Sequence, residues 1–107
     1  MAEINAAVAE KVTRFLERLS KSDIRVDAAY LYGSYAKGLA DKWSDIDLAV
    51  VSPDFSNQRF DERVRLMKLA GEIDSRIEPV PFCPETFVEE DPLVWEIKKT
   101  GLKLSTV

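Results

Sequence analysis

The sequence predicts a small α/β (α+β) protein, with helices packed on one β-sheet. Three observations predict this class: two segments with helical periodicity, three extended apolar segments, and a Gly-Ser turn between the first two of these. Along the chain they give the order helix, strand, turn, strand, helix, strand, followed by a third helix and a short last strand. The 107 residues suit a single domain, residues 1–107, with one core.

The first half of the chain is expected to hold one helix and two strands. Residues 3–20 carry six apolar side chains at helical spacing. In residues 24–32 apolar side chains fall at every second position, as in a half-buried strand. Residues 34–38 are predicted to form a single helical turn. Residues 45–51 end in a continuous apolar run, which indicates a central strand covered on both faces. The six apolar side chains of the helix are Ile4, Val8, Val12, Phe15, Leu16 and Leu19.

The middle of the chain predicts a helix over about 58–72 and a third strand over 75–82. Pro79 and Pro81 lie two residues apart in that strand, so both missing N–H groups fall on the same edge. The strand should therefore lie at the sheet margin or pair only through its other edge. The buried side of the helix is expected to include one line of residues, Phe60, Val64, Met67 and Gly71, widened by Leu66, Leu69, Ala70 and Ile73.

The last part of the chain predicts a helix and a short strand. Asp91 and Pro92 read as an N-cap followed by a proline at the first helical position. Two lysines shortly before Gly101 suit the other end of this helix. Residues 102–106 are expected to add a short last strand.

The composition excludes several classes of function. The net charge is −4 and there is no basic run, which argues against a sequence-independent nucleic-acid binder. There is no histidine, so serine–histidine and cysteine–histidine catalysis, the usual zinc sites and histidine bases are absent. Cys83 is the one cysteine and is interpreted as a small apolar residue. No segment approaches the ~20 apolar residues of a membrane helix, so a cytoplasmic location is the default expectation.

The Gly33-Ser34 turn is a candidate phosphate site. Glycine permits a positive φ angle and lets a ligand approach the main chain closely. A turn that opens into a helix offers N–H groups and a positive dipole end, while the Ser34 hydroxyl can donate as well. Lys37 lies one helical turn further on and can reach a triphosphate as a point charge. By itself a Gly-Ser pair is most often a plain turn.

A pair of aspartates opens the second predicted strand. Because one residue separates Asp45 from Asp47, their side chains point to the same face, and they repel each other unless a cation lies between them. Mg²⁺ prefers such carboxylates together with phosphate oxygens. Glu78 in the third strand is the candidate third carboxylate of a two-metal site. The alternatives are a solvated strand end for the aspartates and an edge-strand glutamate that faces water.

Aromatic residues flank the motif. Tyr35 or Trp43 could stack on a nucleotide base, although packing in or around the core is the more common role of such residues. Trp95, with Leu93, Val94 and Ile97, could likewise form an exposed apolar face for a partner instead of core packing.

The combined motif, Gly33-Ser34 followed by Asp45-x-Asp47, resembles the nucleotidyltransferase superfamily of the DNA polymerase β type. The short length resembles its minimal nucleotidyltransferase branch. The motif similarity covers residues 24–82, and size and element order cover the whole chain. The resemblance implies a nucleotidyltransferase fold, which is a mixed β-sheet flanked by helices. It also implies an ATP-type substrate, two Mg²⁺ ions and transfer of a nucleoside monophosphate to a hydroxyl group.

The resemblance also implies a role for each residue of the motif. Gly33 and Ser34 would bind the β and γ phosphates. Asp45 and Asp47 would hold both metal ions, and Glu78 would be the third ligand and help to deprotonate the acceptor.

Two positions depart from the family pattern. Lys37 stands where the family often has arginine, and lysine cannot form a bidentate fork. The third carboxylate is often aspartate in the family, whereas Glu78 stands here beside a proline.

The length of the chain is expected to leave no room for a second, acceptor-binding domain. Either the acceptor is itself a macromolecule that docks, or a second polypeptide completes the site. Minimal nucleotidyltransferases that resemble this chain are commonly paired with a helical HEPN toxin, and the family's antitoxins can transfer AMP from ATP to a toxin tyrosine. The leading hypothesis is therefore a Mg²⁺-dependent protein adenylyltransferase that acts as an antitoxin. The alternatives are a non-catalytic module that masks its partner, or transfer to a small molecule or RNA.

Overall fold

The computed structural model describes residues 6–41, 44–56 and 58–104, which form three helices and four strands around one sheet. The mixed α/β class predicted from the sequence is confirmed. Ile4 of the first predicted helix and the end of the predicted last strand lie outside the described residues. In chain order the elements are α1 (Ala6–Lys21), β1 (Ala28–Tyr32), β2 (Ile46–Val51), α2 (Arg59–Gly71), β3 (Ile77–Phe82), α3 (Pro92–Thr100) and β4 (Leu102–Leu104).

The sheet is mixed, with the strand order β3-β2-β1-β4. β1 pairs antiparallel with both β2 and β4, while β2 and β3 run parallel. The position of β3 at the margin confirms what its prolines predict. Ile46 N donates to the Arg76 carbonyl and Ser52 N to the Phe82 carbonyl, so the even-numbered residues of β3 face β2. Pro79 and Pro81 therefore lack their donors on the outer edge.

The alternation of side chains in β2 separates two apolar layers. Leu48 and Val50 point to the face that α1 and α2 cover, where they join Phe15 and Leu66. Ala49 and Val51 point to the other face, which α3 covers. Strand side chains alternate, so Asp47 must lie on the α3 face. The covered central strand predicted at 45–51 is confirmed, since Leu48, Ala49 and Val50 are fully buried.

The prediction for the buried side of α2 is wrong in one respect. Phe60, Val64 and Met67 are exposed, and the helix instead buries Leu66 and Ala70 against the sheet. This helix has two lines of apolar residues, and periodicity alone does not decide which one faces the core. The buried face also contains Glu62, whose carboxylate accepts a hydrogen bond of 2.7 Å from the backbone N–H of Ser56.

The first strand is shorter than predicted. It begins at Ala28 instead of residue 24, because Asp23 adopts a positive φ of 62° and Arg25 is held by Asp54 of the loop after β2. The Arg25 backbone N–H donates to Asp54 Oδ2 at 2.8 Å, and the side chains form a salt bridge of 2.9 Å. Ile24 is nevertheless buried, as a loop residue.

The ends of the last helix agree with their sequence signals. The Asp91 side chain accepts a hydrogen bond of 2.9 Å from Leu93 N, Pro92 is at the first turn, and the helix ends before Gly101. Across the described part of the chain, every helix is too short or too polar to cross a membrane.

Replacing Leu48 by alanine tests the central position of β2. Leu48→Ala removes a fully buried side chain and leaves a cavity between the sheet and two helices. We expect a loss of about 2–5 kcal/mol in the free energy of unfolding, measured by urea denaturation. Leu39→Ala is the matched control, because Leu39 is 76% exposed, and should change that free energy by less than about 0.5 kcal/mol. Equal effects in the two variants would contradict the assigned core.

Candidate functional site

The segment after β1 is a succession of tight turns. Lys37 N donates to the Gly33 carbonyl at 3.1 Å, and Leu39 N donates to the Ser34 carbonyl at 2.9 Å. Gly33 and Gly38 both have positive φ, 73° and 72°. The predicted helical turn at 34–38 thus has one helix-like hydrogen bond but does not continue as a regular helix.

Gly33 brings this turn directly against the second aspartate. A Cβ atom on Gly33 would overlap Asp47 Oδ2, so the backbone of the turn packs on the carboxylate itself. The β1–β2 register places Tyr32 opposite Asp47 and so fixes this approach. The structure therefore joins the predicted phosphate turn to the predicted carboxylates.

Two of the three carboxylates named from the sequence, Asp47 and Glu78, are neighbours on the α3 face. In the parallel β2–β3 register, Asp47 is the partner of Glu78. Asp45 lies just before β2 and is exposed. The pKa of Asp47 is raised above its ordinary value, first by burial and then by the negative charges of Asp45 and Glu78. A cation at this place would relieve that repulsion.

Two ion pairs join the site to neighbouring helices. Arg63 of α2 lies 3.8 Å from the Glu78 carboxylate, and Lys37 lies 3.3 Å from the Glu96 carboxylate of α3. Burial raises the pKa of Tyr32, and the charge of Asp47 adds to this effect. Arg63 and Glu96 are neighbours of the candidate site that sequence reasoning missed. Lys37 and Glu96 are 59 positions apart, and no local pattern signals such a contact.

The residues suit a divalent cation by donor chemistry. Asp45, Asp47 and Glu78 supply carboxylate oxygens, which Mg²⁺ prefers, and the pKa of Asp47 is raised first by burial and then by the two neighbouring carboxylates. Among the described residues, however, no group of three acidic, cysteine or histidine side chains is already gathered as a metal site. Glu78 lies 3.8 Å from the Arg63 guanidinium of α2.

The aromatic side chains near the motif have structural partners. Tyr35 packs against the core layer under α1 and α2, and its hydroxyl donates to the Asp41 carbonyl at 3.1 Å. Trp43 lies outside the described residues. Trp95 is half exposed, whereas Val94 and Ile97 are fully buried, so the apolar face considered for α3 is reduced to Trp95 and Leu93.

A cavity of about 120 Å³ lies at the far end of β3 from Glu78. Cys83 lines it and donates a hydrogen bond to the Phe55 carbonyl, with the sulfur 3.2 Å from that oxygen. The cavity is therefore separate from the carboxylates. Its other lining residues are Phe55, Ser56, Arg59, Glu62, Pro81, Phe82 and Thr86.

Comparison with known proteins gives a family and a set of similar structures. A family model described as a nucleotidyltransferase domain matches residues 9–104. No match was found among curated proteins.

Three solved structures illustrate the likeness. A toxin–antitoxin structure determined with AMP-PNP contains a chain 26% identical to this one, with a TM-score of 0.65, covering 92% of this chain and 73% of that chain. A mutant of the MntA-HpeT toxin–antitoxin complex gives 26% identity and a TM-score of 0.63, covering 89% and 72%. A candidate nucleotidyltransferase from Sulfolobus solfataricus, at 18% identity and a TM-score of 0.54, covers 96% and 89% and shows the fold alone.

Alanine at Gly33 should disturb the turn and the carboxylate together. Gly33→Ala forces a positive φ on alanine and places its Cβ on Asp47, so we expect a loss of about 1–3 kcal/mol in the free energy of unfolding and weaker nucleotide binding. Gly71→Ala is the control, because nothing lies within 4 Å of its added Cβ and its backbone is helical. It should be neutral or stabilising by about 0.4–1 kcal/mol in urea denaturation. A neutral Gly33→Ala would contradict the close packing.

The raised pKa of Asp47 predicts that replacing this carboxylate by a neutral side chain increases the stability of the protein, to an extent that depends on pH. The folded state binds this proton more tightly than the unfolded state, so Asp47 costs stability as the pH rises from 3.8 through its folded pKa, and the cost persists above it. Asp47→Asn should therefore be more stable than wild type at pH 7. The gain should shrink as the pH falls toward 3.8, as measured by urea midpoints without added metal.

Asp74 provides a control, because the substitution Asp74→Asn is expected to change stability in the opposite direction. Its hydrogen bonds with Arg76 lower its pKa to about 2, so this carboxylate stabilises the fold above pH 3.8 and the stabilisation is lost as the pH falls toward 2. Asp74→Asn should thus be less stable than wild type at pH 7. Changes of the same sign in both variants would contradict these assignments.

Proposed function

We propose a reaction for this chain on one premise: it belongs to the nucleotidyltransferase domain family, whose model matches residues 9–104. The proposed reaction is transfer of AMP from ATP to a hydroxyl group of a partner protein: the hydroxyl oxygen bonds to the α phosphorus, the bond from that phosphorus to the β-phosphate oxygen breaks, and pyrophosphate leaves. The observation that carries it is the packing of the Gly33 backbone on Asp47, which joins a candidate phosphate turn to a carboxylate cluster. Neither part could position a triphosphate for transfer without the other.

The turn would hold the triphosphate. Gly33 and Ser34 would bind the β and γ phosphates through backbone N–H groups and the Ser34 hydroxyl. Lys37 would move from Glu96 to a phosphate oxygen, and this exchange costs little because both side chains are about half exposed. The structure of a similar chain determined with AMP-PNP supports ATP as the substrate.

The carboxylates would hold Mg²⁺, and we propose two ions, as in the family that the motif resembles. Asp45 and Asp47 would contact both, while Glu78 would complete the set after leaving Arg63. When bound, the ions would neutralise phosphate charge and favour attack by a hydroxyl. Glu78, the β3 partner of Asp47 in the strand register, would accept the proton of that hydroxyl.

The partner that suits this chemistry is a toxin protein. Two similar solved structures are toxin–antitoxin structures, one of them the MntA-HpeT complex. We propose that this chain acts as an antitoxin, that its partner is a HEPN toxin, and that the acceptor is a tyrosine hydroxyl. The cavity beside Cys83 lies away from the carboxylates, which disfavours a small-molecule acceptor in that cavity.

A transfer assay tests the reaction. Purified protein is incubated with α-labelled ATP, Mg²⁺ and extract of the cells that make it, and label on protein is measured. We expect Asp45→Asn/Asp47→Asn to lower transfer by more than about 100-fold, because loss of cation stabilisation is worth several kcal/mol. Asp27→Asn is the control, since Asp27 is exposed beside the far end of β1. Equal labelling by the double variant would refute the catalytic assignment.

The same double variant separates catalysis from masking. If it still protects cells from the toxin without transferring label, the protein neutralises its partner by complex formation. Loss of protection together with loss of label supports protection by AMP transfer, provided that the variant still binds the toxin.

A further inference from the structure

We propose that the outer flank of α2 is the surface on which the acceptor protein docks. The surface, here termed the α2 stripe, consists of Phe60, Val64 and Met67. The proposal rests on the proposed function and adds to it the direction from which the acceptor approaches.

The α2 stripe is a continuous apolar line that the fold leaves uncovered. Its members are four and three residues apart, so they follow one another along a single side of the helix. Phe60 is 79% exposed, Met67 44% and Val64 37%. The same helix already has a buried side at Leu66 and Ala70, so the stripe is not needed to hold α2 on the sheet.

Two contacts show which way the α2 stripe faces. Arg63 lies one helical turn after Phe60 and one before Met67, and its side chain reaches the Glu78 carboxylate at 3.8 Å. On the opposite flank, Arg65 donates to the Ser22 carbonyl beside the end of α1. The stripe therefore borders the side of α2 from which Arg63 reaches Glu78 past the β3 edge of the sheet, since α2 itself covers the face opposite to the carboxylates.

The strand order makes this the acceptor side of the cluster. The candidate phosphate turn follows β1, Asp47 is on β2, and Glu78 is on β3, which α2 flanks. The triphosphate would enter from β1, so the attacking hydroxyl must come from the β3 side. A protein seated on the α2 stripe would hold a hydroxyl next to Glu78.

The charge around the stripe indicates the partner's chemistry. α2 contains four basic and two acidic residues, a net charge of +2 in a chain of net charge −4. Arg65 lies on the opposite flank, but Arg63 and Lys68 lie within one helical turn of the stripe, and one of the acidic residues, Glu62, is buried. The surface thus suits a partner with an apolar centre and an acidic rim, which also carries the acceptor hydroxyl.

The apolar residues of α3 fit this role less well. Trp95 is 49% exposed, but Lys99 Nζ lies 4.5 Å from the centre of its ring. Glu96 of the same helix pairs with Lys37, so α3 borders the phosphate turn. Trp95 therefore serves as the matched control, since its exposure is close to that of Met67.

The first step of the test identifies the acceptor protein that is used in the binding measurements. The acceptor is the protein that receives label from ATP with the wild-type chain and not with Asp45→Asn/Asp47→Asn, and it is purified unlabelled. Its affinity is then titrated against wild type, Phe60→Gln/Met67→Gln and Trp95→Gln. Glutamine favours helix, and both α2 positions are exposed, so the variants should fold, which urea midpoints would verify.

We expect the double α2 variant to bind the acceptor at least about 30-fold more weakly, with ATP affinity unchanged, and Trp95→Gln to bind within about 3-fold of wild type. Photo-crosslinking from benzoylphenylalanine at position 60, and not at position 95, should capture the same acceptor. Equal affinity of all three proteins for the acceptor, or a loss of affinity only in Trp95→Gln, overturns the assignment of the α2 stripe as the docking surface. The assignment is also overturned if this chain forms a dimer that the substitutions Phe60→Gln/Met67→Gln dissociate, because the stripe would then bind a second copy. If no protein is labelled at all, the proposed function fails and the stated occupant fails with it.

Discussion

The contact between the Gly33 backbone and the Asp47 carboxylate is the constraint on which the site depends. It requires a residue without Cβ, a positive φ, and a strand register that sets Tyr32 opposite Asp47. Each of these conditions ties a local sequence signal to the pairing of β1 with β2. Because β2 is also the central strand, the same pairing that closes the core sets the distance between the turn and the carboxylates.

This arrangement concentrates negative charge around Asp47, where the charge does not stabilise the folded protein. Asp47 has a raised pKa because burial and two neighbouring carboxylates act in the same direction. Arg63 and Lys37 offset part of the local charge through exposed ion pairs, which hold weakly and exchange easily. The protein thus keeps an electrostatic imbalance that a nucleotide and its cations would relieve, as is common at functional sites.

Local patterns allowed much of the fold to be predicted, and long-range packing accounts for what they missed. The continuous apolar run in β2 predicts the strand that the structure covers on both faces, and two prolines predict the marginal position of β3. The orientation of α2 was mistaken because its two apolar lines are equally regular. Arg63 could not be assigned to the site, since its contact with Glu78 depends on how a helix lies against a strand. The roles of Ser34 and Lys37 toward phosphate stay predictions.

The margins of the sheet restrict how this protein can associate. The outer side of β3 lacks two donors at Pro79 and Pro81. At the other margin, β4 spans three residues within the described part of the chain and has an exposed Lys103 at its centre. Both features of the edge strands disfavour the pairing of a strand from another chain. β-Augmentation and edge-to-edge aggregation are therefore disfavoured, and stable complexes should form through helical surfaces, which leaves the sheet undisturbed when partners exchange.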